Sequence, residues 1–228
     1  MSVTGPRVHP RLVLVAHGTR SAAGGGTSRR LRDAVAAARP EHDVTLCFLD
    51  VAEPRLPDVL DDRPTVVVPA LLSTGYHVQH DIPDAIGDRA ATRQARHLGP
   101  HSLLLDAMLD RLPAGAAGTT VLVGAGSSRP EARVELEAMA ALAGARLGGP
   151  VATLTLADDL VAAFAQLDHP VRVLTYLLAD GQFVSTLNAA ATGEVTVGAP
   201  IGVHPALVEL IWARYDEVSA DGGGRVVG

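Results

Sequence analysis

The feature that most constrains this chain is a pattern that runs through it twice. "LVLVAHGTR" (12–20) returns as "TVLVGAGSS" (120–128), and "TVVVPALLSTGYHVQHD" (65–81) as "VRVLTYLLADGQFVSTL" (171–187). "RQARHLGPHSLLLDAMLDRL" (93–112) returns as "VTVGAPIGVHPALVELIWARY" (195–215). The offset drifts from 108 residues (His17 to Ala125) through 106 (His77 to Phe183) to 103 (His101 to His204), as loop changes after a duplication would produce. Within each copy, short apolar runs suited to strands buried on both faces alternate with Ala/Leu-rich stretches of helical period. In the first copy, strands are predicted at 11–18, 43–50, 65–72 and 93–99, and helices at 27–40 and 100–112. A further helix is expected to follow Asp81–Pro83, with the proline in its first turn and Asp81 as its N-cap in preference to a metal ligand. Such alternation implies a parallel sheet with helices on both faces. The expected fold class is therefore α/β, built as two similar halves, each a parallel sheet flanked by helices. Residues 1–115 form the first half and 116–228 a degenerate repeat, joined through "PAGAAG" (113–118). The tail, 219–228, is expected to be mobile.

In open parallel sheets, ligands bind at the carboxyl ends of the strands. His17 ends the first predicted strand, Asp50 the second, and His77 lies just past the third. Two imidazoles and a carboxylate on one sheet edge form a candidate site for a borderline divalent metal with open positions. The duplicate supplies an internal contrast, because it carries Ala125 for His17 and Phe183 for His77. Since the scaffold is repeated without these histidines, packing does not demand them.

Composition narrows the class of function. Apolar residues make up 47% of the chain and charged residues 19%, which fits a globular protein rather than a disordered one. No stretch approaches the roughly 20 uncharged residues of a membrane span, and "MSVTGPRVHP" lacks the plan of a secretory signal. The single cysteine, Cys47, excludes an internal disulfide or a thiolate metal cluster and reads as an inert core residue. A net charge of −6 argues against a general nucleic-acid binder. Together these predict a cytoplasmic protein with neither nucleic acid nor membrane as partner.

"VAHGTR", "FLDVAEPRLPDVL", "VVVPALLSTGYHVQHDIP" and "LGPHSLLLDAML" resemble the sirohydrochlorin chelatase (CbiX-like) family, whose relatives are the class II cobalto- and ferrochelatases. The resemblance covers nearly the whole chain, in two-repeat form. The apolar strand followed by Gly-Tyr-His-x-x-x-Asp-Ile-Pro is its most specific part. It implies a lyase that inserts Fe²⁺ or Co²⁺ into sirohydrochlorin or a related tetrapyrrole, for siroheme or cobalamin synthesis. The metal is then a substrate, no permanent organic cofactor is implied, and the chain would act as a monomer or homodimer. The same resemblance implies that His17 and His77 bind the metal and act in catalysis. Asp50 would assist from the place where the family commonly has Glu, one methylene longer. The macrocycle carries acetate and propionate groups, for which Arg20, Arg29, Ser73, Thr74 and the backbone of "SAAGGGTS" are candidate partners. Gly75 is expected to let the backbone approach the flat ligand.

Other polar residues take plainer readings. His80 either supports the metal ligands from behind or is solvated, and His101 and His204, recurring before the same apolar helix, are expected to be structural. His9, His42, His97 and His169 are expected on the surface. Asp180 and Gln182 either line the pocket from the second half or form a turn. Two rivals compete with metal insertion. A phosphohistidine enzyme built on His17 would want Arg before that residue, where Ala16 stands. A non-catalytic metal or tetrapyrrole carrier would use the same histidines without turnover.

Overall fold

The computed structural model of the chain describes residues 9–19 and 22–220. In the first half, strands β1 (Arg11–Ala16), β2 (Val44–Phe48), β3 (Thr65–Pro69) and β4 (Thr92–Gln94) form one sheet. Helices α1 (Ala22–Ala38), α2 (Leu56–Val59), α3 (Ile82–Ile86) and α4 (Ser102–Asp110) connect or follow them. The second half repeats the order with β5 (Thr119–Gly124), α5 (Pro130–Leu147), β6 (Val151–Thr155), α6 (Leu160–Ala165), β7 (Val171–Tyr176), α7 (Gln182–Ala190), β8 (Val195–Val197) and α8 (Pro205–Ala220). The strand orders are β2-β1-β3-β4 and β6-β5-β7-β8, and every pairing is parallel. This is the duplicated α/β architecture expected from the repeat.

Alternation along the strands decides the layers. In β1, Leu12, Leu14 and Ala16 face a central core, while Val13 and Val15 face outward onto α2 and α3. In β7, Leu174 and Tyr176 point into the same central core, and Val171 and Val173 face α6 and α7. Because both faces of each sheet are covered, the central strands β1, β3, β5 and β7 are mostly apolar, and buried polar side chains such as Arg11, Thr65, Thr120 and Thr175 lie at or near strand ends. The central core is shared. It joins Leu31 and Val35 of α1, Leu104 and Met108 of α4, Leu136 and Met139 of α5, and Leu210, Ile211 and Trp212 of α8. The two sheets thus sandwich one layer of four helices, and neither half closes its inner face without the other.

Helix α8 is the strongest tie between the halves. Tyr215 Oη donates to Pro10 O at 2.6 Å, Trp212 Nε1 to Val35 O at 3.1 Å, and Arg214 Nε to His97 O at 3.0 Å. Arg39 and Asp216 form a two-pronged ion pair at 2.7 Å.

Several expectations need correction. Helix α1 starts at Ala22, so Gly24–Gly26 are helical rather than an open carboxylate-binding loop. His42 and His97 are not surface residues. The side chain of His42 is only 5% exposed, enclosed by Trp212 and Tyr215, and that of His97 is 14% exposed. Polar neighbours in sequence gave no hint that α8 and α5 would cover them. His9 and His169 are exposed as expected, and Cys47 is buried, with its thiol pushed up to about 12 by that burial. Of the 219–228 tail, only Ser219 and Ala220 lie among the described residues, where they finish α8.

Candidate active site

The strand order places a switch point between β1 and β3, where the chain turns from building one side of the sheet to building the other. In open parallel sheets, loops leaving such a point diverge and ligands bind between them. His17 follows β1 directly, and His77 is carried by the loop after β3. Their rings meet edge to face, with centroids 4.7 Å apart and planes at 84°. Residues 60 positions apart in the chain are thereby brought into contact on one edge.

The turn after β1 explains why glycine follows His17. Gly18 has φ of +95°, and a Cβ there would lie 1.8 Å from Asp50 O. Leu49 N and Asp50 N donate to Ala16 O and His17 O, both at 3.0 Å, so the end of β2 holds the backbone of His17. Only a residue without a side chain fits between them.

The stretch "STGYHVQHDIP" folds into a helix that starts earlier than predicted. Tyr76 is already helical, His77–Asp81 form a π-helical turn, and Ile82 N donates to His77 O. A π turn of this kind is a common device for re-aiming side chains at functional sites. Its consequence here concerns Asp81. That residue does not cap the following helix: its backbone is helical, with φ −63° and ψ −37°, and its side chain makes no capping bond. Instead its carboxylate lies 2.5 Å from His77 Nδ1. A carboxylate at Nδ1 fixes the tautomer that leaves Nε2 with a free lone pair, and it holds the orientation of the ring.

Asp50 is close in backbone but not in side chain. Its Oδ1 accepts from Val51 N at 2.8 Å and lies 3.7 Å from Arg55 Nη2. Among the described residues, no group of three or more His, Cys, Asp or Glu side chains is placed to share a metal ion. The structure gives a histidine pair with one carboxylate, Asp81, behind His77, while the Asp50 carboxylate is held by its own loop. The signal for Asp81 was the four-residue spacing from His77, which on a helix brings the two side chains together.

The loops of the second half meet this edge. Tyr176 Oη donates to Leu72 O at 2.8 Å, and Arg129 sits over the Tyr76 ring at 5.9 Å. Tyr76 is exposed and packs against His80, ring centroids 4.6 Å apart, so His80 belongs to the surface around the pair rather than to the pair itself. Ser73 and Thr74 are half-buried. Thr74 is already engaged, its N–H with Glu135 at 2.6 Å and its Oγ1 with Gln79 Nε2 at 3.2 Å. Gly75 has nothing within 4 Å of where a Cβ would stand, so protein packing does not require glycine there. Arg20 lies outside the described residues, and Arg29 is exposed on α1. Asp180 and Gln182 are exposed at the turn into α7. His101 and His204 both cap helices, each Nδ1 accepting at 3.2 Å from the N–H two residues on, Leu103 and Ala206. A cavity of about 520 Å³, lined by Val78, Gln94, His97 and Glu135 among others, includes neither His17 nor His77 in its lining.

A family model described as CbiX matches residues 11–114 and again 119–218. The chain belongs to the CbiX family. The two matched segments coincide with the two sheets, so the internal repeat is a repeat of the CbiX unit. Solved structures share the architecture. The sirohydrochlorin chelatase SirB from Bacillus subtilis subspecies spizizenii, in complex with cobalt, superposes with a TM-score of 0.80 at 20% identity, over 96% of this chain and 98% of that one. SirB from Bacillus subtilis with Fe³⁺ gives a TM-score of 0.78, with the same identity and coverage. CbiX, the terminal enzyme for biosynthesis of siroheme in denitrifying bacteria, gives 0.66 at 23% identity, over 89% of this chain and 98% of that one. At these identities the likeness to the solved structures is one of fold. No curated protein sequence matches this CbiX-family chain.

Proposed function

We propose that this chain is a sirohydrochlorin chelatase, a lyase that inserts Fe²⁺ or Co²⁺ into the macrocycle at the His17–His77 pair. The observation that carries the reading is the contact of these two imidazoles at the switch point, with Asp81 behind His77. Membership of the CbiX family supports it.

The chemistry follows from the donor set. Insertion requires the metal to exchange its protein ligands for pyrrole nitrogens while two pyrrole N–H protons leave. Neutral imidazoles suit Fe²⁺ and Co²⁺ and hold them without the grip of a thiolate cage. As the ion passes to the macrocycle, His77 Nε2 regains its lone pair and takes one proton, and Asp81 stabilises the imidazolium that forms. His17, more exposed, takes the other and passes it to solvent. Asp50 acts through the backbone, holding the His17 turn. The macrocycle lies across the pair between the loops of the two halves, with Ser73 and Gly75 facing it. Among the described residues no helix is long and apolar enough to cross a membrane, and we place the enzyme in the cytoplasm, as a monomer or homodimer.

The test is anaerobic absorbance of sirohydrochlorin with Fe²⁺ or Co²⁺ at catalytic protein concentration, beside a His77→Ala control. Multiple turnovers above the uncatalysed rate, lost in the variant, are expected, and the two rates rank the metals. A change limited to one equivalent would replace the chelatase with a carrier.

A further inference from the structure

The second half has no histidine pair, yet it reaches into the first half's active-site loop at one specific carboxylate. Glu135, on α5, accepts from Thr74 N–H through Oε2 at 2.6 Å, and its Oε1 lies 3.1 Å from His97 Nε2. Thr74 stands three residues before His77. Its loop is tied onward to the π turn by Gln79, whose backbone N–H donates to Gly75 O at 3.1 Å. On the other side, His97 is itself fixed. Arg214, 3% exposed in the shared core, donates from Nε to His97 O at 3.0 Å and from Nη2 to Leu98 O at 3.2 Å. A continuous set of bonds thus runs from α8 through His97 and Glu135 to the loop that carries His77. Glu135 is the one group in it that belongs to α5, and its side chain is 23% exposed, partly shielded from water.

The repeat provides a control for this contact. With the His77-to-Phe183 offset, the counterpart of Thr74 is Asp180, and with the His17-to-Ala125 offset the counterpart of Glu135 is Thr27. The first half's α1 does approach the Asp180 loop closely, since a Cβ on Gly24 would lie 3.0 Å from Asp180 O. Thr27, however, turns its hydroxyl back to Ala23 O at 3.1 Å within its own helix. Both sides of the pseudo-twofold bring a helix against a loop. The carboxylate bridge occurs on the side that kept its histidines.

We propose that Glu135 is a positioning residue for the metal centre, by which the C-terminal half sets the loop that aims His77. A charge-assisted bond to a backbone N–H fixes that amide more firmly than a neutral acceptor would. Outer-shell partners of metal ligands typically change metal affinity or activity by about 10- to 100-fold when removed. The inference rests on the chelatase reading of the His17–His77 pair, but its readouts do not all depend on turnover.

The experiment uses the full chain with Glu135→Ala, Glu135→Leu and Glu135→Gln. Leucine fills the volume without an acceptor, so it serves if the alanine variant fails to fold. Glutamine can still accept from Thr74 N–H. Three quantities are read: hydrogen exchange of the 72–76 amides, Co²⁺ affinity with the metal alone, and kcat against KM with sirohydrochlorin. In the folded Ala or Leu variant, Thr74 exchange should speed up, Co²⁺ affinity and kcat should fall about 10-fold, and KM should change less than kcat. Glutamine should restore most of the loss. A folded Ala or Leu variant within about twofold of wild type in both Co²⁺ affinity and kcat would overturn the proposal, as would a Gln variant no better than Leu. Wild-type protein that binds Co²⁺ without metallating sirohydrochlorin would overturn the chelatase reading alone, because exchange and Co²⁺ affinity would still decide the role of Glu135.

Discussion

His77 Nδ1 and Asp81 Oδ2 lie 2.5 Å apart across a single π-helical turn, and this pairing decides which nitrogen of His77 faces chemistry. Removing the carboxylate frees the imidazole to rotate and to adopt the other tautomer. Asp81→Ala is expected to lower both Co²⁺ affinity and the metallation rate by about 10- to 100-fold, and Asp81→Asn by less, because an amide oxygen still accepts from Nδ1–H. Metal titration and initial rates on the same preparations check this, and unchanged affinity in Asp81→Ala would remove Asp81 from the site.

The two histidines and Asp50 should separate cleanly. His17→Ala and His77→Ala are each expected to abolish insertion while the circular dichroism spectrum stays that of wild type, since the second half folds the same way with Ala125 and Phe183. Asp50→Ala, whose carboxylate is spent on Val51 N, should cost less than about tenfold in rate. A loss in Asp50→Ala equal to that in His77→Ala would mean that the carboxylate swings onto the metal in the working enzyme.

Gly18→Ala should be among the most damaging single changes in the first half. The residue sits at φ +95° with Asp50 O where a Cβ would go, so both backbone strain and overlap oppose the substitution. Strain alone costs roughly 1–2 kcal/mol, and relief of the overlap must displace either His17 or the end of β2. Denaturant unfolding should show a loss of at least about 2 kcal/mol together with lost activity. A variant of near wild-type stability would show that the turn can be rebuilt around a side chain.

Tyr176 tests how the halves are joined near the site. Its hydroxyl crosses to Leu72 O at 2.8 Å, and burial holds its pKa well above the usual tyrosine value. Tyr176→Phe strands that carbonyl and should destabilise the protein by about 1–3 kcal/mol. Thermal or urea melts would read this directly, and a neutral result would imply that water replaces the hydroxyl.

Acid should weaken the fold through buried histidines outside the metal-binding pair. Burial, followed by the charge of His9, pushes the His42 imidazole below its ordinary value of 6.5, against the pull of Glu41 and Asp216. Burial lowers His97 and His101 likewise. Below about pH 6.5 the unfolded chain takes up protons that the folded one refuses, so their contribution is present above that pH and is lost as pH falls through the folded values. Melting temperature should therefore drop between about pH 6.5 and 5, and His42→Phe, which keeps the ring against Trp212 and Tyr215, should flatten part of the drop. An unaltered slope in that variant would assign the acid sensitivity to other groups.

The sequence alone carried the sheets, the repeat and the histidine pair, because each is written in local periodicity. Unbroken apolar runs such as "LVLVA" and "TVVVP" belong to strands buried on both faces, and parallel order then puts His17 and His77 on one edge whatever the details of packing. The spacing of Asp81 from His77 is plain in the sequence, but Asp before Ile-Pro favours a cap, and only the helical turn that begins at Tyr76 turns its carboxylate to the imidazole instead. Asp50 was placed correctly along the backbone, yet the direction of its carboxylate depends on Val51 N and Arg55, which no spacing rule reports. The burial of His42 and His97 and the bond from Glu135 to Thr74 were decided only by tertiary structure. They arise where α5 and α8 of one copy close over the other, between residues as far apart as His42 and Tyr215, and local propensity holds no information about which helix will cover which loop.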